Sequence, residues 1–227
     1  MEPVFHSIGV SRLRIGVDGE GVTTLAAGHG CPLRCRYCLN PQCFRSTKPL
    51  RTYTVQELLR EVSIDDLYFQ ATGGGIVFGG GEPLLYADFI HAFRQACPAE
   101  WKLSLESSLA VDRKELVKVV NDLDFFLIDI KDMNPEIYQA YTGRDNQKVL
   151  LNLEYLVHAA DPEHVCIRIP LIEGFNTEKD QEKSRDILRN MGFIKFDLFR
   201  YDTGRGKEKY GNQSDTGKDD HGSQRLR

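Results

Sequence analysis

Phe125-Phe126-Leu127-Ile128-Asp129-Ile130 is an apolar run interrupted by a single carboxylate. Its length and its lack of helical periodicity read as a strongly buried β-strand. The stretches at 22–27, 76–78, 103–105, 165–169 and 194–199 read as further strands. Amphipathic stretches separate them. Val55, Leu58, Leu59 and Val62 recur at helical spacing after Thr54, a candidate N-cap. Leu85, Phe89, Ile90 and Phe93 mark a second helix, and helices are predicted near 112–120, 134–141, 147–159 and 178–191. Strands alternating with helices are the mark of βα units around a parallel sheet. Six such units are two short of a closed eight-fold barrel. The expected fold is therefore α/β: a partial, open (β/α)6 TIM-like barrel with a parallel sheet.

In such barrels reactive groups stand at the C-terminal ends of the strands. Cys31, Glu82, Glu106, Ser107, Asp129, Lys131 and Asp202 all lie at or just beyond expected strand ends, and Arg168 lies within one. That placement predicts one mouth carrying one site. Residues 1–202 form the expected barrel domain. From 203 to 227 the only sizeable apolar side chains are Tyr210 and Leu226, so a polar, disordered tail is expected there.

Composition narrows the function classes. The 227 residues are 41% apolar and 27% charged, ordinary for a globular domain. Lys and Arg total 29 against 33 Asp and Glu, a formal charge of −4, so no broad nucleic-acid surface is expected. No apolar stretch approaches the roughly 20 residues of a membrane span. The N-terminus lacks a basic segment followed by an apolar run, so no signal peptide is expected, and the expected compartment is a reducing cytoplasm. Three of the six cysteines fall within Cys31-Pro-Leu-Arg-Cys35-Arg-Tyr-Cys38. Clustered thiols in that setting point to metal or redox chemistry rather than a disulfide framework. The spacing favours an iron–sulfur cluster whose fourth iron keeps an open site. A zinc site completed by Cys43 is the alternative. Cys97 and Cys166 read as buried apolar residues.

The triad, with Tyr37 before its last cysteine, resembles the signature of the radical S-adenosylmethionine superfamily. Asp18-Gly19-Glu20 before it, Gly80-Gly81-Glu82-Pro83, and Asp129-Ile130-Lys131-Asp132 resemble more narrowly the glycyl-radical enzyme activases, of the pyruvate formate-lyase activating type. The resemblance runs from about residue 5 to residue 202. It implies that Cys31, Cys35 and Cys38 hold a [4Fe-4S] cluster and that S-adenosyl-L-methionine chelates the open iron. It implies cofactor contacts at Tyr37, Leu39, Gly80, Gly81, Glu82, Asp129, Ile130, Lys131, Arg168 and Asp202. It also implies a protein substrate, a glycyl-radical enzyme, and an electron donor of flavodoxin or ferredoxin type. Departures are Leu39 and Asp202, where the family often carries histidine, and Glu106-Ser107, where it carries a cation-binding acidic-hydroxyl pair. Read without the resemblance, Gly-Gly-Gly-Glu-Pro is a tight turn into a helix, Asp129 with Lys131 a structural ion pair, and Arg168 an ion-pair partner. Other readings are a radical S-adenosylmethionine enzyme acting on a small molecule and a zinc-stabilised binding module.

Overall fold

A computed structural model describes residues 2–44 and 50–201. The six expected parallel strands form β2 (Val22–Gly28), β4 (Gly75–Gly80), β5 (Lys102–Ser107), β6 (Phe125–Asp129), β7 (Val165–Leu171) and β8 (Lys195–Arg200). They pair in chain order, each parallel to the one before. Two further strands precede them in the sheet: β1 (Phe5–Ile15), antiparallel to β2, and β3 (Arg51–Tyr53), antiparallel to β1. The sheet order is β3-β1-β2-β4-β5-β6-β7-β8, and among the described residues β3 and β8 are its edges. The barrel is therefore open, as expected, but widened by an antiparallel pair on one side.

The helices follow the predicted positions: α1 (Val55–Val62), α3 (Ala87–Ala96), α4 (Arg113–Val119), α5 (Pro135–Thr142), α6 (Gln147–Ala159) and α7 (Glu178–Met191). Thr54 caps α1 through a reciprocal capping box with Glu57, which satisfies two otherwise unbonded N–H groups. Asn134 caps α5 in the same spirit, and Gly143 ends it in a left-handed conformation. A short extra helix, α2 (Asp66–Thr72), follows α1. Residues 83–86 form a 3-10 turn before α3, which turns Leu85 outward rather than onto the helix's buried face.

The core lies between the sheet and the helices. Phe5, Phe78, Phe89 and Phe93 meet there edge to face or stacked, and Leu58, Leu105, Ile128, Leu153 and Ile167 are completely buried. Among the described residues no helix is long and apolar enough to cross a membrane. The expected boundary at 202/203, and Asp202 itself, lie outside the described residues.

Candidate active site at the sheet mouth

Three segments meet at the C-terminal ends of the central strands. The first is the cysteine loop after β2. The second is the glycine loop after β4. The third is the charged wall carried by β5, β6 and β7. Together they line one cleft of about 780 Å3, counting its open mouth, within the usual range for small-molecule sites.

The cysteine and glycine loops are laced together by backbone bonds. Gly81 N–H donates to the Gly28 carbonyl at 3.0 Å, and Glu82 N–H donates to that of Gly30 at 2.8 Å. Asn40 Nδ2 donates to the Gly80 carbonyl at 2.9 Å. At Gly81 a Cβ would stand 2.1 Å from the Gly30 oxygen, which no side chain tolerates. Gly80 sits at φ +88°, a conformation that glycine adopts freely. The glycines are thus required by the approach of two loops, whatever ligand they also meet.

Cys31, Cys35 and Cys38 all line the cleft. Burial pushes the Cys31 thiol up to about 12, with the charge of Glu82 adding to it, and burial raises Cys35 as well. A metal bound at these groups would remove the thiol protons outright. Cys43 is different. It is 1% exposed and its thiol donates to the Gly28 carbonyl at 3.6 Å, away from the cleft wall. Among the described residues no three Cys, His, Asp or Glu side chains gather closely enough to hold a single ion. Cys43 is thus set apart from the three thiols on the cleft wall.

Opposite the thiols stand two cations and two carboxylates. Lys131 Nζ lies 3.1 Å from Asp129 Oδ2, Arg168 Nη1 lies 2.9 Å from Glu106 Oε1, and Arg168 Nε lies 3.0 Å from Asp129 Oδ1. The last contact is close as a pair of charges but misaligned as a hydrogen bond, so the buried Asp129 Oδ1 has no donor. Burial disfavours the Lys131 ammonium, yet Asp129 and Cys35 outweigh it and raise its pKa to about 12. Burial, then the negative charge of Asp129, pushes Glu106 up against the pull of Arg168. The wall carries balanced charge and one open acceptor. It suits a ligand that brings both an ammonium and a carboxylate.

Leu39, Gly80, Gly81, Asp129, Lys131 and Arg168 join the three cysteines on the cleft wall. Tyr37 stands behind it, packed against Tyr141 and Phe175, and its carbonyl accepts from the Tyr201 hydroxyl. Ile130 is completely buried, and its N–H donates to the Arg168 carbonyl at 2.9 Å. Glu82 is also off the wall. It is 1% exposed, and its carboxylate accepts from Ser107 Oγ and Ser108 Oγ, both at 2.6 Å, and from the N–H groups of Ser108 and Leu84. Every strong position on that carboxylate is filled within the protein. Glu106 and Ser107 point to opposite faces of β5, one to Arg168 and one to Glu82, so they do not form a joint cation pair.

Ser108, Tyr141, Phe199 and Tyr201 also line the cleft, and the sequence reading did not pick them out. Ser108 follows the acidic-hydroxyl pair directly, and Phe199 and Tyr201 close the last strand. Strand-end position was the available signal. Tyr141 lies on α5 and carries no such mark.

A family model described as the radical SAM superfamily matches residues 25–183. The chain is 33% identical to the pyruvate formate-lyase-activating enzyme of Staphylococcus aureus (strain USA300), covering 82% of this chain and 76% of that protein. It is 28% identical to the (2S)-3-sulfopropanediol dehydratase activating enzyme of Klebsiella oxytoca, covering 76% and 74%. Among solved structures, Streptococcus suis SuiB bound to S-adenosylmethionine superposes with a TM-score of 0.61 at 13% identity, over 78% of this chain and 40% of that one. A second, anSMEcpe with bound AdoMet, gives 0.55 at 20% identity, over 77% and 49%. These two share the fold, and the chain spans less than half their length.

Proposed function

Because the chain belongs to the radical SAM superfamily, whose members use a [4Fe-4S] cluster and S-adenosylmethionine, we propose that it is a glycyl-radical enzyme activase. The observation that carries this reading is the facing of three thiols and a charge-balanced wall across one cleft. The donor set fits the cofactors. Three thiols on one wall leave a cubane one iron without a protein ligand. The orphaned Asp129 Oδ1 offers an acceptor to an ammonium group.

In this reading Cys31, Cys35 and Cys38 hold the cluster. Together the cluster and S-adenosylmethionine supply a one-electron bond cleavage and the hydrogen-atom abstraction that follows. The chain's own residues bind, orient and exclude water. Asp129 receives the methionine ammonium, while Lys131 and Arg168 face its carboxylate. Leu39, Phe199 and Tyr201 give apolar and aromatic surface against which a planar base packs. Asp202, a further expected contact, adjoins Tyr201 in sequence.

The open sheet supports a protein substrate. A free radical on a small metabolite calls for a closed cavity, whereas among the described residues this mouth lies beside the edge strand β8. An extended loop of a glycyl-radical enzyme enters such an opening, and glycine gives close access to its Cα. The partner then serves as the lid. A flavodoxin- or ferredoxin-type protein supplies the electron. Both activating-enzyme relatives agree with this reading.

The test uses anaerobically reconstituted protein and a candidate partner deuterated at its radical glycine Cα. Deuterium is expected in 5′-deoxyadenosine, together with a glycyl radical signal in the partner. Cleavage without deuterium transfer across the candidate partners would assign the chain to small-molecule chemistry instead.

A further inference from the structure

The cysteine loop has two faces. Its thiols line the cleft, but Arg34 and Arg36, the neighbours of Cys35 on either side, stand off the cleft wall and are exposed. The C-terminal end of α5 is clamped against them. Arg34 N–H donates to the Thr142 carbonyl at 2.8 Å, and Arg36 N–H donates to that of Tyr141 at 3.0 Å. The helix ends at Gly143, where a Cβ would stand 3.8 Å from Arg34 Cβ. That turn brings in a third arginine. Arg144 is exposed, and its Nε donates to the Pro32 carbonyl at 3.2 Å.

Three arginines from two distant segments thus share the outer side of one short loop. Arg34 is fixed in place. Its Nη1 donates to the carbonyls of Cys31 at 2.6 Å and Leu33 at 2.8 Å, and its guanidinium lies 4.4 Å from the Phe44 ring centre. These partners orient the charge without neutralising it. Among the described residues none of the three arginines pairs with a carboxylate. Arg12, Arg14, Arg51, Arg168 and Arg185 each do. Asp145, next in the chain, is turned to α6 and accepts from Gln147 N–H at 3.0 Å. The chain as a whole carries a formal charge of −4. Uncompensated positive charge gathered on a net-negative protein steers a partner of opposite sign to that spot. Here the spot is one peptide from a thiol of the triad, because the guanidinium groups bond to the carbonyls of Cys31 and Pro32.

We propose that the face formed by Arg34, Arg36 and Arg144 docks the electron donor, a redox protein with acidic residues around its own cofactor. The proposal rests on the function argued above and names where its reductant arrives. The cleft side of the loop is given over to S-adenosylmethionine and substrate, so the carrier approaches from the outer side. One electron leaves the reduced carrier, which is oxidised, and enters the cluster, which is reduced. No bond forms or breaks and no proton moves in that step. Charge complementarity speeds encounter and weakens with salt, which suits a small, short-lived contact that must release the spent carrier.

The experiment uses the reconstituted full chain with two reductants: a reduced flavodoxin of acidic surface, and photoreduced deazaflavin, a small molecule that needs no docking face. Arg36→Glu is compared with Arg36→Lys, since the backbone N–H and not the guanidinium makes the Arg36 clamp. With flavodoxin, the rate of cluster reduction should fall about tenfold in Arg36→Glu and depend less steeply on salt, while Arg36→Lys stays near wild type. With deazaflavin, all three proteins should reduce and cleave S-adenosylmethionine alike. An unchanged flavodoxin rate in Arg36→Glu would overturn the proposal. So would an equal loss with both reductants, which would mark a damaged cluster. A wild-type protein that deazaflavin reduces but neither acidic flavodoxin nor acidic ferredoxin does would overturn it as well. Failure of the wild type to take up a [4Fe-4S] cluster, or to cleave S-adenosylmethionine with deazaflavin, would instead overturn the function beneath it, before any variant is made.

Discussion

Glu82 and Asp129 are both carboxylates at the C-terminal ends of parallel strands, β4 and β6, with β5 between them, yet they are held in opposite ways. Glu82 is enclosed by hydroxyl and amide donors that fill its oxygens. Asp129 is held by two cations and keeps Oδ1 buried with no donor. The cysteines repeat the contrast. Cys43 donates to a carbonyl behind the glycine loop, while Cys31, Cys35 and Cys38 face the cleft. Identical chemistry is saturated where it holds the scaffold and left with spare bonding where it faces the opening. Bonding capacity left over, rather than residue type, separates support from site.

The cysteine half of the contrast carries the largest effect. Serine at Cys31, Cys35 or Cys38 should abolish both the reduced cluster signal and S-adenosylmethionine cleavage. Cys43→Ser should retain both, since its thiol faces a carbonyl. Iron and sulfide analysis beside a 5′-deoxyadenosine assay distinguishes the four variants. A Cys43 as essential as the other three would erase the distinction between the two groups.

The carboxylate half predicts a crossover. Glu82→Ala leaves the donors of Ser107, Ser108 and Leu84 without their acceptor, and should destabilise the fold by roughly 1–3 kcal/mol per stranded group. Asp129→Ala should cost less stability but weaken S-adenosylmethionine binding about tenfold, ~1.4 kcal/mol, at near-normal iron content. Lys131→Ala should behave like Asp129→Ala. Urea denaturation and equilibrium binding read the two axes separately. Equal losses on both axes in both carboxylate variants would dissolve the contrast.

A smaller effect sharpens it further. Burial raises the Glu82 pKa above its ordinary 4.5, against the pull of its donors. Between the unfolded and folded values the folded chain holds a proton that the unfolded chain has released. Stability contributed by this group therefore falls as pH rises through that interval. Glu82→Gln cannot titrate, so the stability of wild type relative to this variant should decline as pH climbs from about 4.5 towards neutrality. A flat or rising difference would mean that the hydroxyl and amide donors keep Glu82 charged after folding.

The parallel part of the sheet was legible because each strand is a short apolar run followed by an amphipathic stretch. The run at 125–130 and the capping pair Thr54–Glu57 are where pattern and structure agree most closely. Strand β1 escaped notice for a physical reason. It is mostly exposed, carries Arg12 and Arg14, and is broken by two register shifts, with Leu13 at φ +55°, so no period-2 apolar signal survives. Strand β3 has only three residues. At the mouth, strand-end position found the charged wall, and spacing found the thiols. What spacing cannot show is which polar groups the fold itself consumes. Glu82 looks as ligand-ready in sequence as Asp129, and only the positions of Ser107 and Ser108 separate them.

The lacing of the cysteine loop also has a consequence for the order of events during synthesis. The triad occupies eight consecutive residues, but what shapes it is spread along the chain. Gly81 holds its base, Tyr141 and Thr142 hold its middle, and Tyr201 holds the Tyr37 carbonyl. Between Cys38 and Tyr201 lie 163 positions of chain growth (201 − 38), on the order of ten to thirty seconds at about 5–20 residues per second. Until that interval ends the three thiols lack part of their frame. Iron delivered early meets an unshaped, oxidisable loop, and iron delivered after Tyr201 has docked meets a finished cradle. Maturation of this protein is thus a matter of timing, with cluster loading belonging to the completed fold.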